Sequence, residues 1–191
     1  MRSLPRTLLG MLLLGTAASP AAGDRRFAEV PTLGLALPTI PLAGDQDATS
    51  TVQNPGGLVF VTGCDLELAI TEFDSERAAG AGRGLGGFVA LAGSLPFLPR
   101  LGLGLGIESL DPPAHVLAPD PGQPLRFTLA FAVGGKRTGL GMAWHRFFDG
   151  GGLTDGVDSL DLGLSRRFGS HLALGLVARD LNTPLVGGVP V

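Results

Sequence analysis

Few residues in this chain of 191 have the types and spacing that chemistry requires. His145 with Asp161 is the pairing from which a general base is built, but no convincing nucleophile accompanies them, Ser159 and Ser165 being merely same-face neighbours. No catalysis is expected from this segment, and a longer parent chain leaves that question open. Glu108, Arg126, His145, Asp161 and Arg179 form a second kind of set, two acids and three bases spread along the chain. Cys64 is the single cysteine, which excludes a disulfide framework and any multi-cysteine metal site. Residues 149–158 carry three aspartates among glycines, a hint of calcium. They lack the ligand order and terminal Glu of an EF-hand, so a plain loop is expected. The Gly-rich runs near Leu85 and Leu101 are not phosphate loops, because strands follow them rather than a helix. A net charge of -3 offers no footprint for nucleic acid. No cofactor and no metal are expected.

The elements that would position these residues are strands. Gly and Pro number 31 and 15, near a quarter of the chain, which excludes a helical bundle. Hydrophobic residues at 45% and charged ones at 16% exclude disorder. Seven runs alternate with period two: 65–73, 85–95, 101–109, 125–133, 138–147, 159–168 and 171–179. In 101–109, Leu101, Leu103, Leu105 and Ile107 alternate with Gly102, Gly104, Gly106 and Glu108. Successive strand side chains point to opposite faces, so each run has one greasy face and one small or polar face, with Phe88 the exception on the small side. Glu108, Arg126, His145, Asp161 and Arg179 all fall on the small face. Simple hairpin register sets each near the next, which predicts a belt of alternating charge in the interior, each pair contributing about 0.2–1 kcal/mol.

A soluble β-sandwich also alternates. Two features favour a membrane barrel over it. The runs are about nine to eleven residues long, the length of a tilted membrane-crossing strand. Their connections alternate strictly: 74–84, 111–123 and 149–158 are long, whereas 96–99, 134–137 and 169–170 are short. Outer-membrane barrels pair long external loops with short periplasmic turns. Arg146 and Arg166 have greasy-face parity but lie at strand ends, where a cation costs roughly 0–1 kcal/mol against roughly 2–4 at the midplane. The chain has no Tyr and one Trp, so ten Phe must serve as interfacial aromatics.

Residues 1–23 read as a secretory signal peptide: Arg2 and Arg6, an apolar stretch from Leu8 to Leu14, then small residues to Gly23. Residues 24–62 form a separate N-terminal segment, and 63–191 the strands. In that segment Asp45 or Asp47 is placed to cap a short helix over Thr49–Val52, which Asn54-Pro55-Gly56-Gly57-Leu58 would end. Inward glycines would let such a segment approach the strands closely.

Asp47-Ala48-Thr49 followed by Asn54-Pro55-Gly56-Gly57-Leu58 resembles the start of FadL-like and PorV-like outer-membrane proteins, with Gly56 where that group has Ala. The resemblance implies that Asp47, Asn54, Pro55 and Gly57 belong to a plug inside or beneath a barrel. A related layout precedes the peptidase domain in exported proteins similar to protease IV (signal peptide peptidase A). That family uses a Ser/Lys pair, and the single lysine here, Lys136, lies in an expected turn.

The expected fold is therefore all-β: an antiparallel up-and-down meander, a partial outer-membrane-type β-barrel with a short N-terminal helical plug. Seven strands are fewer than the smallest usual barrel, so a fragment of a longer protein is expected, with 185–191 leading into another strand. The expected function is passive, a channel for apolar solutes or an envelope scaffold in the outer membrane. The expected partners are lipid, apolar small molecules or envelope proteins. The alternative is a non-catalytic periplasmic β-domain of a signal-peptide-peptidase-like serine protease.

Overall fold

A computed structural model describes residues 31–37, 42–44, 46–72, 81, 83–94, 99–112, 122–169 and 171–190. The expected signal peptide over residues 1–23, Asp45 and most of the first two long connections lie outside the described residues.

Seven strands follow one another: β1 (Gly63–Glu72), β2 (Arg83–Ser94), β3 (Arg100–Leu110), β4 (Leu125–Gly134), β5 (Thr138–Phe148), β6 (Asp158–Phe168) and β7 (Leu172–Ala178). Each pairs antiparallel with the next, in the order β1-β2-β3-β4-β5-β6-β7. The meander is a single sheet curled into half a barrel, not two stacked sheets. The strands keep their period-two pattern because each has one face against packed chain and one face free.

The two faces are inverted relative to a soluble protein. Leu68, Ile70 and Leu176 on the convex face are 74%, 84% and 68% exposed, and leucines of every strand share that face. The concave face carries small, polar and charged side chains, and it is buried. Cross-strand register arranges it in rows. One row near the short turns reads Gly63, Ala92, Gly102, Ala132, Gly141, Gly163 and Val177. Two rows towards the long loops run through Phe88, Gly106, Thr128 and His145, and through Gly86, Glu108, Arg126 and Phe147. Phe88, out of pattern in the sequence, points inward and is fully buried beside Gly86 and Gly106.

Two expectations need correction. Residues 185–190 do not extend the meander. They form a separate two-stranded hairpin, β8 (Leu185–Val186) with β9 (Val189–Pro190). Gly187 and Gly188 both have positive φ, 58° and 83°, as a two-residue hairpin turn demands. Val186 is thereby buried with Leu35, Ala81, Leu110, Phe147 and Val157, an apolar cap at the long-loop end. The capping role of Asp47 also differs. The short helix α1 (Ser50–Gln53) has Thr49 at its N-cap. Asp47 acts just before it, accepting hydrogen bonds from the Thr49 N–H (2.8 Å) and hydroxyl (2.5 Å). This local turn suits a residue whose short carboxylate reaches the amide two positions on.

Candidate functional site

The concave face holds two arrangements. Towards the short turns, α1 and a 3-10 helix over Pro55–Phe60 lie on the glycine row. Asn54 ends the first helix and starts the second: its Oδ1 accepts from the Gly56 N–H (3.1 Å), and Pro55 occupies a first-turn position where no N–H is needed. Its Nδ2 donates to the carbonyls of Leu42 (2.5 Å) and, on β6, Leu164 (3.3 Å). The fit is backbone on backbone. A Cβ at Gly102 would stand 2.8 Å from Leu58, one at Gly163 2.8 Å from Gly56 N, and one at Gly141 would collide with the Pro55 carbonyl. Gly57 packs against the Gln46 side chain. Ala48, Val52, Leu58, Val59 and Val61 fill the remaining space with Phe88 and the inward alanines of β2, β4 and β5. Thus Asn54, Pro55 and Gly57 lie in the seat itself, with Asp47 at its edge.

Towards the long loops the interior is polar, and most of that set lies close together. Glu108 and Arg126 face each other across β3 and β4. Arg126 Nε donates to Glu108 Oε2 at 2.5 Å, and its Nη2 pairs with the same oxygen. Both side chains are buried, at 2% and 0% exposed. His145 Nδ1 is 2.8 Å from the Thr128 hydroxyl, and Nε2 is 3.3 Å from Asp161 Oδ2 without the alignment of a hydrogen bond. Arg179 lies at the edge of the set: it is exposed, it donates to the carbonyl of Gln53 at 3.5 Å, and it is near enough to Asp161 and Asp180 to be attracted by both. The alternating set is therefore two separate pairs and one cation at the margin.

Residues not singled out in the sequence join these pairs. The strap 31–37 crosses the polar zone: Leu35 N–H donates to Glu108 Oε1 (3.1 Å), and Arg126 Nη1 donates to the Thr32 carbonyl (2.9 Å). A Cβ at Gly34 would collide with the Arg126 guanidinium. The Thr32 hydroxyl donates to Asp180 Oδ2 (2.9 Å), and Ser159 donates to Asp180 Oδ1 (2.6 Å). The Asp180 N–H donates to Asp161 Oδ1 (3.0 Å). Asp180 has φ 54°, a left-handed conformation that Asp tolerates better than most residues, and it turns the chain inward after β7. Thr32 and Leu35 carried no sequence signal, because their partners lie 73 to 148 positions away.

Chemically this is a core of mostly partnered charge, in which the buried His145 Nε2 and Ser165 hydroxyl have no hydrogen-bond partner. Glu108 receives three donors, which is what makes a buried carboxylate tenable. Thr128, His145 and Asp161 line up as hydroxyl, imidazole and carboxylate, but the Thr128 hydroxyl is fully buried beside Phe88 and Gly106, out of reach of a substrate. In the loop 149–157, Asp149 Oδ2 accepts from the Thr154 N–H and hydroxyl, and Asp155 accepts from the Asp149 N–H. Those carboxylates hold the loop's own donors. Among the described residues there is no cluster of three metal-ligating side chains. Cys64 is free and exposed.

No family profile, curated protein or solved structure matches this chain.

Proposed function

We propose that this chain is the membrane-embedded part of an outer-membrane-type β-barrel protein and that its task is passive. The inversion of burial carries the reading. In water, the continuous leucine surface of seven strands would far exceed the few hundred Å² of apolar patch that a soluble monomer exposes. Against acyl chains, the same side chains gain about 1.5–3 kcal/mol each. The outward residues of β4, from Leu125 to Val133, span roughly 27 Å along the strand. With a strand tilt of roughly 40° that rises about 21 Å along the membrane normal, most of a lipid-facing band of about 25 Å. Aromatic residues gather near the long-loop end, where Phe127 and Trp144 meet edge to face at 6.3 Å and Phe148 is exposed beyond them. Arg146, on the outer face there, is paired with Asp158 at 2.5 Å.

Of the two passive tasks, an envelope scaffold fits the filled interior better. A channel for apolar solutes requires the plug to leave the glycine row. The resemblance of the Asp47–Thr49 and Asn54–Leu58 segments to FadL-like and PorV-like proteins points to the same class. Closure also has a geometric condition. In an antiparallel meander β1 and β7 run in the same direction, so any strands that join them by antiparallel pairing must be odd in number. A second copy in the same membrane orientation would meet both edges in parallel pairs.

Trp144, the single tryptophan, makes the test direct. The full chain is expected to sediment with membranes after a urea wash, and its Trp144 emission to be quenched by brominated acyl chains but not by aqueous iodide. Recovery in the soluble fraction with iodide quenching would overturn the membrane reading. A conductance above background in planar bilayers would replace the scaffold by a channel.

A further inference from the structure

The two rims of the half-barrel differ in charge. The long connections carry six acids, Asp74, Glu76, Asp111, Asp120, Asp149 and Asp155, against Arg77 and His115, whereas every charged residue in the short ones (95–99, 135–137 and 169–171) is basic or a histidine. The outer cations at the long-loop rim are already neutralised: Arg83 pairs with Glu72 (3.0 Å) and Asp111 (3.7 Å), and Arg146 with Asp158. At the short-turn rim, none of Arg100, Lys136, Arg137, Arg166 and Arg167 has a carboxylate partner among the described residues. Arg100 and Arg167 are engaged inward, Arg100 on the Val61 carbonyl (3.4 Å) and Arg167 on the Gly44 carbonyl (2.5 Å) and the Phe60 ring (4.2 Å). The other three are exposed. Arg166 has the outward parity of Leu162 and Leu164, lies opposite Thr138, and stacks over Phe168 at 4.9 Å. Lys136 and Arg137 occupy the adjoining turn. The greasy face begins at once above them with Leu140 and Leu174.

We infer that Lys136, Arg137 and Arg166 form a docking surface for the phosphate groups of anionic phospholipids, which fixes the short turns in the phospholipid-bearing leaflet. This deepens the membrane reading and rests on it. Unpaired cations directly below an apolar band are complementary to a lipid surface, whose negative headgroups lie directly below its acyl chains. A guanidinium stacked on an exposed ring keeps its donors free for phosphate oxygens while the ring remains among the chains. A partner protein would call for carboxylates against the cations but would not require the apolar band above them.

The test uses the full chain, carried in detergent into vesicles of phosphatidylcholine alone or with one-fifth phosphatidylglycerol. Partitioning is read by flotation and insertion by quenching of Trp144 with brominated acyl chains. The wild type should favour the anionic vesicles, and each cation should account for about fivefold. K136Q should reduce the preference about fivefold, and K136Q/R137Q/R166Q should abolish it while Trp144 quenching in neutral vesicles is unchanged. Equal partitioning of the wild type, or an undiminished preference in the triple variant, overturns the inference. Absence of Trp144 quenching in both vesicle types would instead defeat the membrane reading beneath it.

Discussion

The two halves of the concave face solve one problem in opposite ways. Both must cover the inner backbone of a sheet most of whose leucines point outward. Near the short turns the sheet presents glycines and alanines, and a rigid Pro55-Gly56-Gly57 segment is laid directly on them. Near the long loops it presents Glu108, Arg126, His145 and Asp161, and a strap that opens with a 3-10 turn over Pro31–Leu33 is tied to Glu108 and Arg126 by hydrogen bonds. The first half relies on shape, for which any added methyl is an obstruction. The second relies on satisfied charge, for which any removed partner is a penalty. One curled sheet can thus hold two segments of its own chain by independent means.

Removing Arg126 should produce the largest effect that separates the halves. Arg126→Met leaves Glu108 buried without its counter-charge and should cost about 3–5 kcal/mol, read from the urea midpoint of Trp144 emission in detergent. Adding Glu108→Gln should restore a large part of that loss. If the double variant is as unstable as the single one, the guanidinium acts by filling space rather than by charge. Gly141→Val attacks the other half and should cost about 1–3 kcal/mol through overpacking against Pro55. Gly87→Val on the outer face, with Leu68 Cδ2 3.6 Å from the added Cβ, should be nearly neutral in the same assay. Asn54→Ala should cost about 1–2 kcal/mol through the lost cap, with faster proteolysis confined to residues 42–61. Among the variants that disturb the concave face, Thr32→Val should cost least, about 0.5–1.5 kcal/mol. Hydrogen exchange should rise at residues 31–37 and stay unchanged at 50–60. Simultaneous loosening of both segments would show that the halves are coupled.

The strands were legible because their signal is local. Alternation declares each one: the expected run 101–109 is β3 (Arg100–Leu110), and 125–133 is β4 (Leu125–Gly134). Register across short turns follows from turn length. It also placed Glu108 opposite Arg126 across a long connection, where a two-residue slip would have parted them. The belt as a whole did not follow from register. Arg179 has inward parity, but β7 ends at Ala178, just before it, and after the left-handed turn at Asp180 the inner position goes to the Asp180 carboxylate. Gly187 and Gly188 were read as the approach to a strand, although paired glycines equally encode a hairpin turn.

From its residues alone this chain determined seven amphipathic strands, their order, the parity of every charged side chain, and a proline-glycine segment set apart from them. Those properties depend on neighbours one to four positions away, and backbone geometry enforces them wherever the chain goes. The curl of the sheet, the seating of that segment on glycines, and the union of Thr32, Arg126 and Asp180 were decided only in three dimensions. Contacts between residues 94 to 148 positions apart leave no periodicity in the chain. They form because each buried donor or carboxylate must find a partner in the space that the folded sheet encloses.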